Sequence, residues 1–239
     1  MNGQLKELID RLNAEKILSR DEWIKLIGGC GDEERAYAAK LANALREKKY
    51  GNKIFIRGIV EFSNVCKNDC YYCGIRCSNR NAQRYRLTEE EILSCCDEGY
   101  EIGYRTFVLQ SGEDKSYTPE RLADIVRSIK AAHPDCAVTL SVGELERDEY
   151  ALLREAGADR YLLRHETANK ELYGKLHPSA MSFDHRMKCL RDLKELGFQT
   201  GAGNGREGCF HHRKEHCAKN QYCDRNQPGY TGTAIVHKD

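Results

Sequence analysis

Three cysteines, Cys66, Cys70 and Cys73, fall at i, i+4 and i+7 within Val65-Cys66-Lys67-Asn68-Asp69-Cys70-Tyr71-Tyr72-Cys73-Gly74. Thiolates are soft ligands that select zinc or iron–sulfur clusters. A cubane cluster takes four protein ligands when it is closed. Three leave one iron open, which suits a site where a cofactor or substrate meets the metal directly. A zinc knuckle and a disulfide framework use cysteines at comparable spacing, and spacing alone does not separate these readings. Zinc would require a fourth ligand close by.

Other polar groups gather where buried strands should end. Gln110-Ser111-Gly112-Glu113 follows the apolar run Thr106–Leu109, Gly143-Glu144 follows Ala137–Val142, and Arg164-His165-Glu166-Thr167 follows Tyr161. By the period of two, Leu162, Arg164 and Glu166 share one face of a strand, so a guanidinium and a carboxylate point the same way. Unpaired ions there are costly, so they either pair with each other or meet a ligand. Their position at the same end as the cysteines favours a ligand. His165 faces the other side and reads as structural.

The elements that must position these groups follow from periodicity. Leu5, Leu8, Ile9 and Leu12 recur at helical spacing. A second helix starts at Ser19 or Asp21 and stops at Gly28-Gly29, and a third is capped by Asp32 and runs to Lys48. The run Ile54–Phe62 is strand-like and halts at Ser63-Asn64, which places the cysteines in the loop beyond a strand's C-terminal end. Thr88-Glu89-Glu90-Glu91 is a capping box before a helix through Ile92, Leu93 and Cys96. Thr118-Pro119 opens the next helix with proline at its first position. A helix from Glu149 to Ala156, a strand at Tyr161–Arg164, a helix from Phe183 to Leu196 and a strand at Phe198–Gly203 complete the alternation. Five strands each linked by a helix predict parallel pairing, and the natural closed form is a (β/α)8 barrel with its site at the strands' C-terminal ends. The expected class is α/β: a partial (β/α)8 TIM-type barrel of about five units, preceded by N-terminal helices. The expected domains are a helical segment 1–50, the partial barrel 51–203, and a tail 204–239.

Lysine plus arginine number 38 against 37 aspartate plus glutamate, so no global field recruits nucleic acid or an anionic membrane. The expected partners are small molecules and other proteins. Met1-Asn2-Gly3-Gln4-Leu5-Lys6-Glu7 carries charge where a signal peptide has its apolar core, and no run approaches a membrane span, which predicts a cytoplasmic protein. Twelve cysteines in such a chain predict reduced thiols and metal binding. Cys30, Cys95, Cys96, Cys136 and Cys189 read as small buried apolar groups, and Cys77 as an idle thiol. Arg80, Arg84 and Arg86 read as a solvated basic face.

The spacing CxxxCxxC, with Tyr72 just before the third cysteine, resembles the radical S-adenosyl-L-methionine (SAM) superfamily. Tyr72-Cys73-Gly74-Ile75-Arg76, Leu109–Asp114, Gly157–Asn169 with its Arg164-His165-Glu166-Thr167, and Gly201-Ala202-Gly203 are similar to the HydE family of iron-only (FeFe) hydrogenase maturases, related to biotin synthase and methylornithine synthase. The resemblance runs from about Leu5 to Gly203. It implies that Cys66, Cys70 and Cys73 bind a 4Fe-4S cluster, and that SAM's amino and carboxylate groups chelate the open iron. One electron would cleave the sulfonium to methionine and a 5′-deoxyadenosyl radical. It further implies that Tyr72 lies against the adenine and that Gln110, Ser111, Gly112 and Glu113 receive SAM's amino group, with serine replacing the family's first glycine. Glu166 would hold the ribose or amino end and Arg186 the carboxylate. Its implied partners are a small-molecule or organometallic substrate, an electron donor and other hydrogenase maturases. Biotin-synthase-like or methylornithine-synthase-like chemistry, and an inactive cluster-binding fragment, are the alternatives.

After Gly203 the family's Gly-Leu-Pro-Gly type loop does not follow. The chain reads Asn204-Gly205-Arg206-Glu207-Gly208-Cys209 and lacks sustained apolar periodicity to its end. Such composition predicts a disordered tail, as from a frameshifted translation, leaving a five-stranded open barrel. Cys209, Cys217, Cys223, His211, His212 and His216 offer a second metal site as the rival reading, without a tight CxxC pair.

Overall fold

A computed structural model describes residues 1–203 and 233–235 of the chain. Two compact units meet at Phe55/Ile56. The first consists of α1 (Gly3–Glu15), α2 (Arg20–Gly29) and α3 (Asp32–Tyr50) around Leu5, Leu8, Ile9, Leu18 and Leu26. Ser19 caps α2 and Glu22 closes the capping box. For α3 the cap is Gly31 rather than Asp32, because Glu34 reaches back to the Gly31 N–H at 3.0 Å.

The second unit alternates β1 (Arg57–Ser63), α4 (Glu89–Glu101), β2 (Thr106–Ser111), α5 (Pro119–Ala132), β3 (Ala137–Ser141), α6 (Arg147–Glu155), β4 (Arg160–Leu162), α7 (Lys170–Leu176), α8 (Phe183–Glu195) and β5 (Gln199–Gly201). A short β6 (Thr233–Ile235) lies parallel to β1, and the spatial order is β5-β4-β3-β2-β1-β6. All strand pairs are parallel. From β1 to β5 each strand neighbours the next, so crossovers of one hand put α4, α5, α6 and α8 on the same side of the sheet.

The core bears this out. Val60, Phe62, Phe107, Leu109, Val138, Leu140 and Tyr161 pack against Ile92 and Cys96 of α4, Ile125 and Ile129 of α5, Leu153 of α6 and Leu193 of α8. The alternate residues Ile59, Glu61, Gln110, Ser141 and Leu162 stand on the opposite face and are only half-buried. That face, which mixes Glu61, Gln110 and Ser141 with Ile59 and Leu162, is the inner wall of a partial (β/α)8-type barrel, open among the described residues. Cys95, Cys96, Cys136 and Cys189 are buried as expected of small apolar groups.

The structure shortens several expected elements. β1 starts at Arg57, and Ile54, Phe55 and Ile56 are exposed because no neighbouring strand reaches them; pairing begins at Arg57↔Thr233 and Gly58↔Phe107. β4 ends at Leu162, two residues before Arg164, where its pairing with β5 stops at Leu162↔Gly201. Helix α7, seven residues long and capped by Asn169, is too short to show a helical period in the sequence. β6 falls in the segment whose composition predicts no order, and it takes up backbone groups that β1 would otherwise leave unpaired on that side. The remainder of 204–239, with its frameshift and metal-site readings, lies outside the described residues. No helix among the described residues is long and apolar enough to cross a membrane.

Leu140 is fully buried at the centre of β3. Leu140→Ala is expected to cost about 3 kcal/mol of unfolding free energy, from lost transfer energy and the cavity left behind. Urea titration followed by circular dichroism measures this.

Candidate functional site

The cysteine loop leaves β1 at Ser63 and returns to it at Arg86. The two residues form an antiparallel bridge, and the Leu87 N–H donates to the Phe62 carbonyl at 2.8 Å. Asp114, just past β2, closes this neck. Its carboxylate accepts from the Ser63 hydroxyl (2.7 Å), from Arg86 Nε (2.6 Å) and Nη2 (3.1 Å), and from the Ser116 N–H (3.1 Å). Burial alone would raise the Asp114 pKa. The Arg86 guanidinium and the Ser63 hydroxyl overcome that and hold it at about 2. Arg86 is thus a structural tie as well as a residue of the exposed face, its side chain being 46% accessible. Arg84 is likewise engaged with backbone carbonyls, while Arg80 is exposed.

Within the loop the three cysteines are partly buried. The Lys67 N–H donates to the Glu113 carbonyl at 3.0 Å, and the Gly112 N–H to the Ser63 carbonyl at 3.3 Å, which lays the loop directly on the end of β2. A Cβ at Gly112 would sit 2.4 Å from the Val65 carbonyl oxygen and 2.7 Å from Cys66 Cβ. Only glycine admits this approach. On the far side, the Tyr71 N–H donates to the Leu176 carbonyl at 3.0 Å and the Cys70 thiol lies 3.5 Å from Met181 Sδ. The link from α7 to α8 is therefore the loop's second wall.

Burial pushes the thiols of Cys66 and Cys70 up, Cys70 to about 11, and each thiol suffers from its neighbours' charge. The N–H groups of Asn68 and Glu113 oppose this by facing the Cys66 sulfur. Among the described residues no three His, Cys, Asp or Glu side chains converge closely enough to hold a single metal ion. A four-iron cluster takes each thiolate at a separate corner. Three adjacent soft donors, partly buried and costly to ionise without a metal, fit that group.

The residues expected to surround SAM are brought near this loop in varying degree. The Tyr72 hydroxyl lies 3.0 Å from His177 Nε2, and His177 Nδ1 lies 2.9 Å from the Tyr173 carbonyl. The carbonyl can only accept, so Nδ1 carries the proton and Tyr72 donates to Nε2. His177 is buried and stacks on Tyr173 at 3.9 Å between centroids. Burial raises the Tyr72 pKa, with the charges of Cys70 and Glu166 adding to the rise and that of Arg186 opposing it.

Arg186 is buried. Its Nη1 donates to the Arg164 carbonyl at 2.9 Å, and its Nε lies 2.6 Å from Glu144 Oε1. That ion pair is misaligned, and neither atom makes a hydrogen bond. Burial works against the Arg186 charge, but Glu144 restores it and the pKa ends above the ordinary value. Glu113 does not point at open space either: it pairs with Lys67 at 3.0 Å and accepts the Glu144 N–H at 3.1 Å. Gly143, at φ 91°, leaves room for its side chain. Gln110 donates to Glu61 at 3.1 Å across the inner face, and the Ser111 hydroxyl donates to the Gly112 carbonyl at 2.7 Å.

The shared face of Arg164 and Glu166 does not survive. Beyond Leu162 the chain is no longer a strand, and Glu166 adopts φ 60° in a tight turn where the Thr167 N–H donates to the His165 carbonyl. Arg164 is exposed. Its carbonyl, not its guanidinium, joins the Arg186 group. Sequence reasoning missed His177, Met181 and Asp114; the first two belong to the link around α7, whose short helix gave no periodic signal.

Residues 60–205 match the family model described as the Radical SAM superfamily. The chain is 53% identical over 165 residues to the [FeFe] hydrogenase maturase subunit HydE of Thermotoga maritima, covering 69% of this chain and 47% of that protein. It is 32% identical over 195 residues to 3-methylornithine synthase of Methanosarcina acetivorans, covering 78% and 55%. The crystal structure of methylornithine synthase (PylB) superposes with a TM-score of 0.74 at 30% identity, covering 82% of this chain and 58% of that one. The chain thus spans about half the length of the curated relatives it matches.

Because the Asp114 pKa is held down to about 2, from an ordinary 3.8, its stabilisation is complete above about pH 4 and is lost as the pH falls through about 2. Asp114→Asn is expected to cost about 2 kcal/mol at neutral pH, through hydrogen bonds to a charged group. It should also remove that part of the acid-side decline. Urea unfolding of both proteins at stepped pH shows whether the difference between them shrinks toward pH 2.

Proposed function

The chain belongs to the radical SAM superfamily, and from that premise we propose that it binds a 4Fe-4S cluster through Cys66, Cys70 and Cys73 and cleaves SAM reductively. The observation that carries this is the seating of the cysteine loop, which includes Tyr72, directly on Gly112 at the end of β2. Held by Cys66, Cys70 and Cys73, such a cluster would supply the single electron that reductive cleavage of the SAM sulfonium needs.

The chain's own residues bind and orient. Tyr72, fixed through its hydroxyl by His177, offers a ring of set orientation to the adenine. Arg186 retains an unsatisfied Nε and faces a misaligned Glu144, so a ligand carboxylate and ammonium could complete both groups. Glu166, whose charge acts on Tyr72, would hold the ribose or amino end. Gln110, Ser111, Gly112 and Glu113 supply the backbone at SAM's amino end, and Arg164 borders the site from solvent. The half-buried polar face with Glu61, Gln110 and Ser141 is the wall a substrate would meet.

The extent of identity to the Thermotoga maturase supports a role in assembling the hydrogenase H-cluster, with a small-molecule or organometallic substrate, an electron donor and other maturases as partners. The cytoplasm, which keeps thiols reduced, is the compartment that suits this chemistry. The relation to methylornithine synthase supports a carbon-skeleton reaction as a second enzymatic reading. A third reading is a chain that holds the cluster yet does not enclose a radical, since among the described residues the sheet ends at β5 and β6 without closing.

Anaerobic reconstitution with iron and sulfide, then dithionite and SAM, distinguishes them. A cluster paramagnetic resonance signal perturbed by SAM, together with 5′-deoxyadenosine, is the expected result. Cluster without 5′-deoxyadenosine indicates the inactive fragment, and absence of iron overturns the central reading. Cys66→Ala, Cys70→Ala and Cys73→Ala should each abolish the cluster. Gly112→Ala must displace the Cys66 backbone, and we expect iron retention to fall about tenfold while the far-ultraviolet circular dichroism spectrum is kept.

A further inference from the structure

Four backbone carbonyls of the cysteine loop converge on one side chain. Arg84 donates from Nη1 to the carbonyls of Asn64 (2.5 Å) and Ile75 (2.9 Å), and from Nη2 to those of Arg76 (2.8 Å) and Asn79 (3.2 Å). Asn64 precedes Cys66, and Ile75 and Arg76 follow Cys73. One guanidinium therefore ties the segment entering the three-cysteine arc to the segment leaving it. The side chain is half-buried, and without it those carbonyls would face one another inside the loop. Each is part of a rigid peptide plane, so fixing the oxygen also fixes the following N–H. Within the arc the Cys73 N–H meets the Cys70 carbonyl in a local turn (3.0 Å), and the Cys77 N–H meets the Asn68 carbonyl across nine residues (2.9 Å), a longer closure that holding the arc's ends together favours.

We propose that Arg84 is a positioning residue that pre-forms the loop, so that Cys66, Cys70 and Cys73 already stand at cluster geometry before iron arrives. The proposal rests on reading those cysteines as cluster ligands. A planar fork with four N–H donors on its two terminal nitrogens can serve four carbonyls at once. A lysine ammonium carries the same charge on a single point with three donors and cannot. The role is therefore one of shape, and charge alone does not fulfil it.

The test compares the native chain with Arg84→Lys, which keeps the charge, and Arg80→Gln, which removes a charge from an exposed position of the same loop. Hydrogen exchange is measured on the iron-free proteins. In Arg84→Lys the amides of Cys73, Arg76 and Cys77 are expected to exchange about tenfold faster or more, while those of β2 and β3 are unchanged. After reconstitution, iron retained on desalting should fall about tenfold in Arg84→Lys, and the SAM-induced change in the resonance spectrum should broaden or vanish. Arg80→Gln should match the native chain throughout. Equal exchange and an equal spectrum in Arg84→Lys would overturn the proposal. So would a general loss of circular dichroism, which would make Arg84 a residue of the whole fold. A native chain that takes up no iron defeats the cluster reading alone, because the exchange comparison still decides whether Arg84 holds the loop.

Discussion

The site depends on a single buried carboxylate at a neck. Asp114 draws together Ser63, where β1 ends, and Arg86, where the chain comes back, and it does so from the strand next door. Everything between Ser63 and Arg86 is loop, with little apolar side-chain burial of its own. A loop of that length keeps a shape only if its ends are fixed and its inner polar groups are satisfied. Asp114 does the first and Arg84 the second. The remaining walls come from β2 through Gly112 and from the link after α7 through Leu176, His177 and Met181.

These constraints set the electrostatics. The neck carboxylate stays ionised because a guanidinium and a hydroxyl reach it in a pocket that water scarcely enters. The thiols, by contrast, face burial and one another, and a metal is the natural relief for both. Across the site, Arg186 and Glu144 compensate each other's charge without aligning their hydrogen bonds. A buried pair of that kind is neutral overall yet retains specific unsatisfied directions.

Much of this was legible from the chain alone. The three cysteines announce themselves by spacing, and the order of strands and helices follows from periods of two and of three to four. The barrel-like arrangement follows from their alternation. What was not legible shares one physical origin: it depends on partners far away in sequence. Arg84 and Arg86 look like any surface arginines until the carbonyls and the carboxylate they serve are in place. Side-chain pattern alone overextends the strand ends: Ile54 to Ile56 lie outside the described pairing of β1, and on β4 the ladder ends with the Leu163 N–H on the Gly201 carbonyl, so Arg164 falls beyond it. Glu166 breaks the alternation by its left-handed backbone, which a glutamate's composition does not reveal. His177 required knowing that a seven-residue helix turns back onto the cysteine loop.

The neck has a further consequence for how the chain is made. Ser63 and Asp114 stand 51 residues apart, and synthesis proceeds from the N-terminus. The cysteines therefore leave the ribosome well before the residue that closes their loop. During that interval they are ordinary flexible thiols, open to oxidants and to stray metal ions. The loop acquires its shape only when β2 is complete and pairs with β1, so the first β/α/β crossover is the unit whose formation converts three reactive side chains into a site.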